Sequence, residues 1–207
     1  MIATAASAQV SFGLQGGANL SNMTDNNPKA GFNVGILTNI GLSHSVGIRS
    51  GLFFTTKGYN SREALTCGSG LPQNGNGNGN GYGNGNNSNG NGDMFPVFNL
   101  MYLQLPVHFA YKINVMPGTR VVLHAGPYVA YGVGGSERIN GTDTNTVIFG
   151  DDGCFNPFDF GLGLGVGFEF GRFLTGIGWD MGLLNVSNRD GVTRRNQNAY
   201  LTVGFRF

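Results

Sequence analysis

From residue 158 to residue 170 the chain alternates without a break. Phe158, Phe160, Leu162, Leu164, Val166, Phe168 and Phe170 hold one parity, and Asp159, Gly161, Gly163, Gly165, Gly167 and Glu169 hold the other. A period of two belongs to a strand, whose successive side chains point to opposite faces; a helix would group every third or fourth residue instead. At about 3.3 Å per residue the segment outreaches the usual globular strand. Residues 199–207 repeat the pattern, with Leu201, Val203, Phe205 and Phe207 opposite Tyr200, Thr202, Gly204 and Arg206.

Six further segments read the same way: residues 10–20, 31–42, 46–59, 99–113, 120–133 and 172–184. In the fourth strand Leu103, Leu105, Val107, Phe109 and Tyr111 oppose Gln104, His108 and Lys112, and in the fifth Val121, Leu123, Val129 and Tyr131 oppose Arg120, His124 and Gly126. The connections alternate in length. Short ones are residues 43–45, residues 114–119 with Pro117-Gly118, and Gly171; long ones are residues 21–30, 60–98, 134–157 and 185–198. Short turns on one rim and long loops on the other are the plan of an outer-membrane barrel, turns periplasmic and loops outside. The expected fold is all-β, an eight-stranded antiparallel up-and-down transmembrane β-barrel over residues 9–207.

Composition sharpens this reading. Glycine fills 37 of 207 positions and charged residues only 11%, against roughly 7% and 25% in ordinary soluble domains. With 40% hydrophobic and 12% aromatic residues the chain is not of a disordered type. A net charge of +1 leaves no electrostatic footprint for nucleic acid. No run of apolar residues is long enough for a membrane-spanning helix. None of the 12 basic and 11 acidic residues falls on the apolar face of a strand. Arg49, Lys57, Lys112, Arg120, Asp159, Glu169, Arg172, Asp180 and Arg206 take the inward face, and the others, Lys29, Glu137 and Arg194 among them, fall in the long loops. A basic residue facing lipid at mid-membrane costs roughly 2–4 kcal/mol, so an empty outward face is what a bilayer demands.

The chain resembles the PorT-like family of small outer-membrane β-barrels of Gram-negative bacteria. The matching stretches are GLQGGANLS from Gly13, KAGFNVGI from Lys29, LFFTTKGYN from Leu52, YLQLPVHFAYK from Tyr102, HAGPYVAYGVG from His124, FDFGLGLGVGFEF from Phe158 and the terminal YLTVGFRF. The resemblance implies an eight-stranded transmembrane barrel, and one branch of the family is linked to secretion and gliding machinery. No short motif places this chain in that branch.

Residues 1–8, MIATAASA, read either as a residual signal peptide, for which Ala6-Ser7-Ala8 is the cleavage pattern, or as an ordinary flexible terminus. Export favours the first. Cys67 and Cys154 lack metal-ligand spacing; in an oxidising compartment they are expected to form one disulfide between the second and third long loops. The low-complexity Asn/Gly tract 74–92 reads as a flexible exposed loop.

Candidate chemistry is sparse. The glycines of GLGLGVG alternate along a strand and open no helix, so they are not a nucleotide loop. His108 and His124 point inward at similar height, but a metal would need a third ligand such as Glu169 or Asp180. A hydrogen-bond network is the expected use. No catalytic, cofactor or metal residues are assigned. Arg49, Arg120, Glu169, Asp180 and Arg206 are expected to pair inside the lumen, because unpaired buried charges cost several kcal/mol each. Leu201, Val203, Phe205 and Phe207 are expected to serve the insertion machinery as the assembly signal, or else to belong only to the aromatic girdle. The expected protein is a monomeric, non-enzymatic barrel in the outer-membrane bilayer, structural or surface-interacting, with no nucleic-acid partner. The alternative is a small channel or an accessory component of a secretion complex.

Overall fold

The computed structural model describes residues 9–24, 26–61, 96–139, 142–144, 147–151, 153–188 and 193–207. Residues 1–8, Cys67 and the tract 74–92 lie outside the described residues. The strands are β1 (Gln9–Met23), β2 (Asn27–Gly41), β3 (Val46–Asn60), β4 (Val97–Met116), β5 (Thr119–Ile139), β6 (Thr142–Thr144), β7 (Phe158–Phe170), β8 (Phe173–Gly182) and β9 (Asn196–Arg206). Apart from the three-residue β6, which only pairs antiparallel with the last residues of β5, each strand pairs antiparallel with the next. β9 returns to β1 and closes the ring. The result is a closed eight-stranded antiparallel up-and-down barrel. Closure leaves no strand edge and satisfies the ladder internally, which a strand-built membrane span requires.

The alternation fixes which face each side chain takes. Leu14, Leu164, Ile177 and Val203 point outward and are 54–65% exposed. They belong to an apolar belt running around the barrel. Inward, Lys57, Asp159, Glu169 and Asp180 are at most 2% exposed. The exposed charges in the described strands, Arg138 one residue from the end of β5 and Asp143 of β6, pair with each other at 2.7 Å.

Several expectations need correction. The connection after the first strand is not a long loop over residues 21–30: β1 runs to Met23 and β2 starts at Asn27. The polar residues there, Ser21 and Lys29, continue the inward face, and a register shift between Pro28 and Asn33 absorbs the irregularity. Lys29 is thus a strand residue, opposite Ser21, and its ammonium donates to Asn99 Oδ1. The turn over residues 114–119 shrinks to Pro117 and Gly118, with Gly118 at φ 79°. Glu137 is no loop residue. Met101 pairs with Gly134 and Tyr102 with Gly132, which leaves Val133 as an extra residue in β5. Such a bulge reverses the parity beyond it, so Glu137 points inward, fully buried, and accepts a 2.9 Å hydrogen bond from Thr144 Oγ1.

The apolar core sits inside the barrel at the loop rim. Tyr59, Phe98, Leu100 and Tyr102 line the wall, and Ile148, Phe155 and Val186 from the connections cover them. Tyr59 stacks on Phe98 at 5.0 Å, and Phe155 meets both edge-on.

Candidate functional site

The lumen is organised in three levels. At the turn rim, Arg120 and Glu169 are cross-strand partners on β5 and β7, which puts their side chains side by side. Glu169 is contacted at 2.8 Å by Arg120, 2.9 Å by Arg206 and 3.7 Å by Arg49. Arg49 also donates from Nε to Asn39 Oδ1 at 3.1 Å, and Arg206 donates to the Gly171 carbonyl at 2.7 Å. Gly171 holds φ 59°, the left-handed conformation that lets the chain turn in two residues.

At mid-height His108 of β4 and His124 of β5 stack with centroids 5.2 Å apart and Nδ1 atoms at 3.0 Å. One ring must donate and the other accept across that contact. The glycines of β7 make room for them. A Cβ on Gly163 would come within 2.7 Å of His108 Nε2, and one on Gly165 within 2.6 Å of His124 Cε1. The alternation of large outward and absent inward side chains in β7 therefore has a local cause: the imidazoles occupy that space. Asp180 does not join the arginines. Gln104 Nε2 donates to it at 2.8 Å, Asn198 bonds it as well, and Asn19 ties Asn198 at 2.9 Å. A cavity of ≈70 Å³ lies among these groups, room for a few water molecules.

Towards the loop rim, Lys57 and Asp159 form an ion pair of 3.3 Å with both side chains fully buried. Tyr128 Oη and Asn196 Nδ2 also donate to Asp159 Oδ2 at 3.3 and 2.9 Å. The ammonium lies over the rings of Tyr102 and Tyr128, 5.2 and 4.8 Å from their centroids, so attraction to the aromatic faces adds to the ion pair. The aromatic core packs next to this level, with Tyr102 and Tyr128 belonging to both.

Of the residues singled out from the sequence, Arg49, Arg120, Glu169 and Arg206 are thus brought together, and Asp180 stands apart. Among the described residues no group of three or more histidines, cysteines and acids could hold a metal ion. No described cysteine is free, and Cys67 is not described. Leu201, Val203, Phe205 and Phe207 line one outward column, 38–67% exposed, with Phe205 edge-on to Phe173. The sequence reading missed the aromatic cover. Its signal was residues 97–103, VFNLMYL, where both parities are mostly apolar, as in a strand covered on both faces.

Residues 5–188 match the family described as outer membrane protein beta-barrel domain. No curated protein matches the chain. Among solved structures the chain is similar to Ail, the attachment invasion locus protein of Yersinia pestis, at 11% identity and TM-score 0.45, over 97% of this chain and 99% of that one. It is similar to OprG from Pseudomonas aeruginosa at 10% identity and TM-score 0.47, over 97% of each chain. It is also similar to the outer membrane enzyme PagL at 9% identity and TM-score 0.42, over 92% and 98%.

Proposed function

Because this chain belongs to the family of outer membrane protein beta-barrel domains and so resides in the bacterial outer membrane, we propose that it is a non-enzymatic, monomeric barrel with a structural or surface-interaction role and a lumen filled by its own side chains. The observation that supports this reading is the Lys57–Asp159 pair beneath the aromatic cover, both of whose side chains are fully buried inside the barrel. Eight strands enclose an interior that side chains can fill. The polar groups at mid-height are tied to one another across strands, which suits stiffening better than catalysis. A small channel, the alternative, would need an opening at the level of Lys57. Liposome swelling tests the point: vesicles carrying the pure protein should take up small sugars no faster than empty ones, and uptake above that background would support the channel.

The narrower kinship with the PorT-like family rests on the sequence stretches alone, and with it any accessory place in a secretion complex. We assign residues 1–8 to the residue of a signal peptide. The Cys67–Cys154 bridge is likewise a proposal, joining the connection after β3 to the one after β5. Maleimide labelling of unreduced, denatured protein should find no reactive thiol, and labelling of both cysteines would refute the bridge. Cys154 packs against the aromatic core, so a closed bridge would hold that cover in place; a loop this long could gain roughly 4–5 kcal/mol in the chain-entropy account.

The last strand is proposed as the assembly signal read by the insertion machinery, through Leu201, Val203, Phe205 and Phe207. Deleting Phe207 should lower surface levels in cells and leave detergent refolding nearly intact. A role confined to the aromatic girdle predicts lost stability in both settings, and normal surface levels of the deletion would rule out the signal.

A further inference from the structure

The turn-side mouth of the lumen holds more positive charge than the barrel neutralises. Glu169 is the single acidic side chain among the described groups there, and it faces Arg49, Arg120 and Arg206. Lys112 lies within electrostatic range of all four, has no hydrogen bond or ion pair from its ammonium among the described residues, and lines the same opening. That opening is a vestibule of ≈900 Å³, bordered by Ser43, His44, Lys112, Asn114, Arg120 and Arg206. Arg120 and Arg206 are 33% and 18% exposed in their side chains, so their guanidinium groups are reachable from the vestibule although each already contacts Glu169.

Four cations around one acidic side chain in a half-enclosed mouth are under-neutralised, and charges of one sign held this close are costly unless water or a counter-anion meets them. Guanidinium forks recognise carboxylate and phosphate oxygens in pairs, and an ammonium adds a further point charge. Hydroxyl and amide donors from Ser43 and Asn114 surround the same space. The outward-facing belt offers nothing comparable, and the mid-height cavity is too small for more than water. We propose that this vestibule is a binding site for a compact multivalent oxyanion, a phosphate- or polycarboxylate-bearing ligand presented from the periplasmic side, with Lys112, Arg120 and Arg206 as its cationic contacts.

Isothermal titration of the full-length protein in neutral detergent at low salt, with pyrophosphate and citrate as separate probes, tests this. Saturable one-to-one binding that weakens as sodium chloride screens the charges is expected. The tighter of the two probes then tells a phosphate source from a carboxylate source. Lys112→Gln should weaken that binding about tenfold, as the loss of one charge-assisted hydrogen bond does. Arg172→Gln, in the neighbouring turn but outside the vestibule, should leave it unchanged. The heat-modifiable gel shift checks that each variant is folded. Absence of saturable binding to either probe, or binding that Lys112→Gln leaves untouched, would overturn the proposal.

Discussion

Replacing Glu169 with alanine is expected to destabilise the barrel by about 3–5 kcal/mol, the range for breaking a buried ion pair from one side. Glu169 is 1% exposed and, among the described residues, is the acidic side chain that three guanidinium groups contact. Its loss strands Arg49, itself 9% exposed, without a counter-charge. Arg120 and Arg206 are more open and can turn towards water, so the upper end of the range is not expected. Urea unfolding in lipid vesicles measures the effect. A second substitution separates charge from packing: Arg49→Gln on the Glu169→Ala background should restore part of the loss, because the stranded charge is gone. If the cost came only from the space Glu169 vacates, the double variant would be no more stable than the single one.

The second large effect lies on the other face. Leu164 is the central residue of β7, points outward and is 59% exposed. Leu164→Arg should cost about 2–4 kcal/mol in a bilayer, the penalty for a cation at the midplane. Val147, in the connection before β7, is as exposed at 58% but lies beyond the strands, so Val147→Arg should cost close to nothing. A water-facing surface would predict the same small cost at both positions. Vesicle unfolding of the two variants side by side therefore reads depth, and equal costs would contradict the lipid-facing assignment of the belt.

The sequence carried the barrel because lipid outside and a narrow lumen inside impose strict alternation, and alternation survives in plain text. Residues 158–170 match β7 end to end for that reason. What alternation cannot carry is a change of phase. A single extra residue at Val133 turned Glu137 from an expected loop residue into a buried strand residue. The first connection failed for a related reason: the polar inward residues Ser21 and Lys29 look like loop composition, although they are the lumen side of β1 and β2. At the site, inwardness was legible and partnership was not. Arg120 meets Glu169 because their strands pair in register, whereas Asp180 sits in the polar layer where Gln104 and Asn198 reach it first. The aromatic cover needed contacts between the wall of the barrel and connections far apart in sequence, which no local pattern announces.

The central claim is a membrane barrel whose lumen is closed by Lys57, Asp159 and the aromatic residues above them. Single-channel recording of the purified full-length protein in a planar lipid bilayer tests it most directly. The account predicts a baseline indistinguishable from bare lipid across the applied voltages, although gel mobility and vesicle unfolding show the barrel inserted. Stable, reproducible conductance steps from the pure protein would contradict it.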